Sequence, residues 1–315
     1  MRLVFMGTPE FAVPSLEALI AAGHEVAGVF TQPDRPAGRG KQLRPSPVKL
    51  CALSHRLPVY QPEKVKDPQA VAALAELKPE AIIVVAYGQI LPQAILQMPS
   101  NGCINVHASL LPAYRGAAPI QWAVINGETK TGITTMLMDQ GLDTGDMLLK
   151  KEIPISPEAT AGEIHDCLSR TGAELIVQTL DKLVVGGVKP VSQTGESTYA
   201  PLLKKEHEKL DWHQSNIKLH NQIRGLNPWP GAFALWRGEV LKIWQSKLDS
   251  EHNEMKDMPE GAIPGTIVEF KEDGFLVRTG AGFLLITQVQ PAGKKVMSGR
   301  DFILGRHIQT GERLE

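Results

Sequence analysis

An amide, an imidazole and a carboxylate fall close enough in this chain to work together. Asn105 and His107 lie two residues apart in GCINVHASLLPAYRG, residues 102–116, and Asp143 follows within MDQGLDTGD, residues 138–146. Residues at i and i+2 of a strand share a face, so this spacing sets the amide beside the imidazole. An amide donor can stabilise an oxyanion, an imidazole can shuttle a proton, and a carboxylate can orient that shuttle. Those are the parts of acyl transfer to an amine without a covalent enzyme intermediate. A strand-end histidine is also a common structural residue, and spacing alone leaves both readings open. A metal centre needs three or four ligands, and no HxH or HExxH accompanies His107, so no metal is expected.

Strands must deliver these side chains. Residues 2–6, 26–30, 81–86, 103–106 and 133–138 are short apolar runs. Runs without alternation suit parallel strands covered on both faces. Between them fall helical stripes, such as Phe11, Val13, Leu16, Leu19 and Ile20, with Pro9 placed to open the first helix. Strand and helix alternate to about residue 185, which predicts a doubly wound, Rossmann-like parallel sheet of the α/β class. Sites in such sheets lie at the carboxyl ends of the strands. Asn105, His107 and the segment after Met138 are expected there. GTPEFA after the first strand lacks the spacing of a dinucleotide fingerprint, and no GxxxxGK[ST] occurs. A nicotinamide dehydrogenase is therefore disfavoured.

The first domain is read as residues 1–189 and a linker of limited flexibility as 190–206, in a run rich in Gly, Ser, Thr and Pro. Residues 207–315 change pattern. A short helix at 217–223 precedes strands near 232–237, 240–247, 264–270, 274–279 and 283–289, which suggests a small OB-like β-barrel. Trp229, Trp236 and Trp244 are expected in its core, and Asn227 to Pro230 in a rigid turn. The net charge is −1, so nucleic-acid binding must come from local patches. Three scattered cysteines fit neither a disulfide framework nor a zinc site, and suit a reducing cytosol. The N-terminus reads as a strand rather than a signal peptide, and no window approaches a membrane span. A cytoplasmic monomer is expected.

The segment GCINVHASLLPAYRGAAPIQWAVINGETKTGIT together with MDQGLDTGD strongly resembles the catalytic segment of the 10-formyltetrahydrofolate-dependent formyltransferases. FTQPDRPAGRGKQLRPSPVK at 30–49 and LNPWPGAFA at 226–234 extend the resemblance over nearly the whole chain. They narrow it to members acting on methionine carried by initiator tRNA. NPWPGAF also looks like sugar formyltransferases, so the basic loop is the more diagnostic element.

The resemblance implies a formyl donor, 10-formyltetrahydrofolate, and an acceptor, the α-amine of methionyl-tRNA. It implies catalytic roles for Asn105, His107 and Asp143: donor to the oxyanion, donor or proton carrier, and orienting carboxylate. Which group takes the amine proton stays open. Folate is expected against Ala86, Tyr87, Gly88, Gln89, Ile90 and Leu91, against Ser109, Leu110, Leu111 and Pro112, and against Asp139 and Gly141. In the loop at 31–49, five cations face one acid, Asp34, and four prolines and two glycines argue against regular structure. Such a loop is long for a βα connection of about 2–6 residues. Arg35, Arg39, Lys41 and Arg44 there, and Arg224, Lys294 and Lys295 in the second domain, are the expected tRNA contacts. Rival readings are a formyltransferase for an amino sugar or nucleotide amine, and an RNA-binding module with an inactive α/β domain.

Overall fold

The computed structural model describes residues 1–37, 42–248 and 263–315. These form two compact units. Unit 1 comprises Met1–Pro119, Lys130–Ile153 and His165–Ala200; unit 2 comprises Ile120–Thr129, Pro154–Ile164 and Pro201–Glu315.

In chain order the elements begin with β1 (Arg2–Gly7), α1 (Val13–Ala21), β2 (Glu25–Phe30), β3 (Arg35–Ala37), β4 (Gln42–Arg44), α2 (Pro47–Ser54), β5 (Val59–Tyr60) and α3 (Pro68–Glu76). There follow β6 (Ala81–Val85), α4 (Gln93–Leu96), β7 (Cys103–His107), β8 (Arg115–Gly116), α5 (Pro119–Ile125), β9 (Lys130–Leu137), β10 (Met147–Pro154), α6 (Ala161–Val184) and β11 (Tyr199–Ala200). Unit 1 is built on a seven-stranded sheet in the order β10-β9-β7-β6-β1-β2-β5. Its apolar runs are buried as continuous strands: Leu3, Val4, Phe5 and Met6 of β1, and Ala81, Ile82, Ile83 and Val85 of β6, are wholly inaccessible. α6 packs closely because Gly172 lets it approach Val106 and Ile133, whose nearest atom would lie 3.0 Å from an added Cβ.

The sheet departs from the parallel expectation at β9. β5, β2, β1, β6 and β7 are parallel neighbours. β9 runs antiparallel to β7, with Leu137 opposite Ile104 and Thr134 opposite His107. A buried apolar run carries no signal of direction, so the reversal leaves no mark in the sequence. Its consequence is large. β9 ends beside the start of β7, where Met138 N donates to Cys103 O at 2.8 Å. The segment after Met138 therefore leaves beside the amino end of β7 and reaches its expected place, at the carboxyl end of that strand, only by turning back. It folds back along β7 toward Asn105 and His107.

Unit 2 continues with α7 (Asn216–Gly225), β12 (Ala232–Trp236), β13 (Glu239–Leu248), β14 (Ile267–Lys271), β15 (Gly274–Arg278), β16 (Phe283–Pro291), β17 (Met297–Ser298) and α8 (Gly299–Arg306). The strands order as β12-β13-β16-β15-β14, with β17 on β16, and every pairing between them is antiparallel. The tail bridges the two edges: Leu314 pairs with Trp236 and Arg313 with Thr266. Leu235 and Glu315 exchange both backbone hydrogen bonds, at 2.6 and 2.8 Å. The tail thereby links the two edge strands of the sheet. The core of unit 2 holds Trp212, Leu219, Ile243, Phe275, Leu284 and Phe302.

Of the three tryptophans expected inside, only Trp236 is buried, at 7% exposure, while Trp229 is 63% exposed. Trp244 is half-buried and donates from Nε1 to Gln290 at 3.1 Å. Trp236 occupies an inward position of β12; Trp229 sits in the turn before it, where no strand face directs it inward.

Candidate active site

The alternation of β7 puts Asn105 and His107 on one face of the strand. The loop after β9 supplies the third group. Gly145 lets this loop pass so close to β9 that an added Cβ would lie 1.8 Å from Leu137 O. Asp143 holds a left-handed backbone, φ 53°, a conformation that Asp and Asn tolerate better than other side chains. Its carboxylate accepts from Gly116 N at 2.8 Å through Oδ2 and from Asn105 Nδ2 at 3.4 Å through Oδ1. His107 Nδ1 lies 3.7 Å from Oδ2 of the same carboxylate. The three expected catalytic residues therefore meet.

His107 is 6% exposed. Its Nε2–H donates to the Tyr114 carbonyl at 3.0 Å. One ring nitrogen thus has a backbone acceptor and the other faces a carboxylate. Protonated, the ring would have an acceptor at each end; neutral with hydrogen on Nε2, it presents a lone pair toward Asp143. Asn105 retains a second amide hydrogen besides the one directed at Asp143. The arrangement suits Asn105 as the donor to a developing oxyanion and the His107–Asp143 pair as the proton carrier.

The segment expected as a linker of limited flexibility contributes to this site. Val191 bridges Met147, and β11 pairs with β8 so that Ala200 stands opposite Gly116. Gly116, at φ 116°, has no room for a Cβ, which would lie 2.8 Å from Ala200 O. Thr198 accepts from Tyr114 N at 2.9 Å. Gln193 Nε2 donates to Asp143 O at 2.8 Å and to Gly145 O at 2.9 Å. Sequence reasoning missed Tyr114, Gly116, Gln193 and Thr198. The first two stand inside the quoted catalytic segment, but they act through backbone atoms, which residue type does not reveal. Gln193 and Thr198 lie in a polar run without periodicity, and no sequence signal marks them.

The folate residues divide. Ala86 and Gly88 adopt φ 48° and 85° and are exposed, and Ile90 is 90% exposed. Tyr87 turns away from the surface expected of it. Its ring is 1% exposed within the core of Met6, Phe30 and Ile82, and burial pushes its hydroxyl up to about 12. What Tyr87 offers outward is its carbonyl, which accepts from Thr8 Oγ1 at 3.0 Å and Gln32 Nε2 at 3.2 Å. Leu91 is 5% exposed in the same core, and Gln89 bonds to Val65 N and Pro62 O. Ser109 and Leu111 are also buried; Ser109 O and Leu111 N both bind Thr134 Oγ1. Leu110 and Pro112 are half-buried. Lys150 donates to Leu111 O, and burial lowers its pKa. Asp139 accepts from Gly141 N and Thr144 Oγ1, closing the turn that carries Asp143.

The expected tRNA contacts divide as well. The basic loop is not irregular throughout: β3 and β4 form an antiparallel ladder with Arg35 opposite Arg44, both exposed. Lys49 is held by Asp34 at 2.6 Å. Arg39 and Lys41 lie outside the described residues. Arg224 is not a surface cation. It is 6% exposed, with its guanidinium donating to Asn221 Oδ1, Ser156 O and Ala159 O. It pins the 154–164 segment to α7 within unit 2. Lys294 and Lys295 are exposed on the turn after β16. A cavity of about 550 Å³ in unit 2 is lined by Lys247 and Arg300 but also by Glu272 and Asp273, and Lys247 pairs with Asp273 at 2.8 Å. It is no cationic track.

Among the described residues, Glu17, Cys51 and His55 bring three potential metal-ligand atoms within 4.8 Å of one another. Burial and the Glu17 charge push the Cys51 thiol up.

Comparison with known proteins agrees with this architecture. The formyl transferase family matches residues 1–180, and the formyl transferase C-terminal domain matches residues 202–307. The chain belongs to the formyl transferase family. It is 52% identical to the methionyl-tRNA formyltransferase of Alkaliphilus oremlandii over 316 residues, covering 100% of this chain and 99% of that one. It is likewise 52% identical to that of Moorella thermoacetica over 315 residues, covering 100% and 99%. Within the family the chain thus belongs with the methionyl-tRNA formyltransferases. A crystal structure of WlaRD, a sugar 3N-formyl transferase, shares the fold at a TM-score of 0.66 with 20% identity, covering 94% of this chain and 99% of that one.

Proposed function

We propose that this protein transfers the formyl group of 10-formyltetrahydrofolate to the α-amine of initiator methionyl-tRNA, as a monomer in the cytoplasm. The observation that carries the chemistry is the meeting of Asn105, His107 and Asp143 around one carboxylate. A free α-amine titrates at about 8, so much of it is protonated near neutral pH and cannot attack. The His107–Asp143 pair takes that proton. The amine nitrogen then bonds to the formyl carbon, and the carbonyl oxygen gains charge opposite the Asn105 amide. Collapse breaks the bond from the formyl carbon to N10, and the second proton, shed by the nitrogen that has become the amide, passes to N10 so that it leaves neutral. No covalent enzyme intermediate is required.

The residues present fit a flat, hydrogen-bonding donor. The 86–90 turn presents exposed backbone and the apolar Ile90, and Leu110 stands half-buried by the 109–112 turn. Support for the tRNA acceptor comes from family membership and from the exposed Arg35 and Arg44 of the β3–β4 hairpin. The cytoplasmic reading rests on free Cys51, Cys103 and Cys167. Among the described residues no helix is long and apolar enough to cross a membrane.

The test is formyl transfer from 10-formyltetrahydrofolate with charged initiator tRNA, free methionine and a nucleotide-linked amino sugar offered in parallel. Transfer to the charged tRNA alone is expected. Transfer to the sugar, or folate turnover with no preference for tRNA, would overturn the assignment of substrate.

A further inference from the structure

The Gln193 side chain uses its whole hydrogen-bonding capacity at the back of Asp143. Both Nε2 hydrogens are donated to backbone carbonyls, Asp143 O at 2.8 Å and Gly145 O at 2.9 Å. Its Oε1 accepts twice from one guanidinium, Arg115 Nε at 3.0 Å and Nη2 at 2.7 Å. Only one orientation of the amide satisfies this set, because carbonyls cannot donate and a guanidinium cannot accept.

Arg115 is also the neighbour of Gly116, whose N–H holds the Asp143 carboxylate at 2.8 Å. Asp143 is thus gripped at two ends from the same two-residue strand. β8 reaches its carboxylate directly and its backbone through Gln193. The grip matters because Asp143 stands at φ 53°, a left-handed backbone that Asp tolerates but that does not by itself fix where the carboxylate points. The loop that carries it has left β9 beside the far end of β7 and must be brought back to His107.

We propose that Gln193 is a positioning residue for the transfer reaction: it fixes the Asp143 turn so that the carboxylate faces His107 and Asn105. The inference rests on the catalytic reading of Asp143. Gln193 touches no reacting atom and acts through that residue alone. The segment around it is docked by other bonds. Val191 and Met147 exchange backbone hydrogen bonds at 2.8 and 2.9 Å, Ser192 Oγ donates to Asp146 at 2.8 Å, and Arg115 N donates to Thr198 O at 2.9 Å. Removal of the Gln193 side chain therefore leaves the strap in place.

The experiment compares Gln193→Ala, Gln193→Glu, Asp143→Asn and the double variant Gln193→Ala/Asp143→Asn in the full chain, with single-turnover rates for the slow forms. Gln193→Glu keeps the shape and the Arg115 pairing but replaces two donors with lone pairs facing two carbonyls. Both Gln193 variants are expected to lose about 10- to 100-fold in kcat, the scale of an ångström misplacement at a catalytic group. The KM for each substrate should move less than about twofold, with an unchanged circular dichroism spectrum. In the Asp143→Asn background, Gln193→Ala should add less than about twofold, as expected for residues acting as one unit. Wild-type kcat in Gln193→Glu would show that only shape is needed, and would overturn the proposal. Losses that multiply in the double variant, or a raised KM at constant kcat, would do the same. Wild-type kcat in Asp143→Asn would remove the catalytic reading and this inference with it. An inactive Asp143→Asn beside a fully active Gln193→Ala would remove the inference alone.

Discussion

Asn105 is the residue whose loss reads most directly on the chemistry. It is half-buried on β7 and holds Asp143 with only one of its two amide hydrogens. Asn105→Ala is expected to lower kcat by about 10²–10³-fold while the folate KM changes little, the usual cost of one oxyanion donor. Steady-state kinetics with each substrate varied in turn checks this; near-normal kcat would take Asn105 out of that role. Asp143→Asn suits the same scale because Asn accepts the left-handed backbone at φ 53°. The turn survives and the charge is lost, so a fall of about 10²–10⁴-fold with unchanged melting temperature is expected. These two residues and His107 stood out as candidates in the sequence, because a side-chain amide, an imidazole and a carboxylate declare their chemistry by type. Tyr114 and Gly116 were not, because they hold the site with a carbonyl and an N–H that every such residue carries.

At the scale of elements, the β3–β4 hairpin is where charge and structure meet. Four prolines and two glycines suggested an irregular loop, yet three residues on each side form a ladder. Pro36 fits because a proline in a two-stranded ribbon can direct its missing N–H away from the partner. The ladder holds Arg35 beside Arg44, two like charges that gain from an anionic partner. Arg35→Ala with Arg44→Ala is expected to raise the KM for tRNA. It should also flatten the salt dependence by about one unit of log–log slope for each phosphate that is no longer neutralised. The KM for folate should not move; impaired folate use in place of impaired tRNA use would relocate the hairpin's role. Helix α2 follows with a cap that sequence rules do foresee: Ser46 Oγ accepts from Lys49 N at 3.0 Å, and Pro47 takes the first turn. The reversal of β9 is the opposite case. Its apolar run announces a buried strand and nothing more.

At the scale of the whole molecule, each unit gathers segments distant in sequence. Unit 2 takes in 120–129 and 154–164, and buried basic side chains tie the second of these to α7. His220, 3% exposed on α7, lies near Ser246, Pro157 O and Glu158, beside Arg224. Burial lowers its pKa below 6.5, against the opposing pull of Glu158. The unfolded chain takes up that proton first as pH falls. The contribution of neutral His220 is therefore complete above about 6.5 and is lost as pH drops through that value toward the folded pKa. Denaturant unfolding across that window should show stability falling with acidity, and His220→Gln should flatten the fall. An unaltered slope in the variant would assign the acid sensitivity to other groups.

Sequence alone determined what depends on residue type and local period. That includes the α/β alternation and the strand-rich second half; its motifs carried the resemblance to the family and named Asn105, His107 and Asp143 as candidates, which the fold brings together. It could not determine what depends on where distant segments land. Arg224 reads as a surface cation until its carbonyl partners 65 and 68 positions away are in place. Tyr87 reads as a pocket wall until the core closes over it, and residues 190–206 read as a connection until Gln193 meets Asp143 O. Burial and backbone hydrogen bonding are properties of the assembled chain. The same polar side chain can face solvent or hold an active-site turn, and only tertiary contact selects between them.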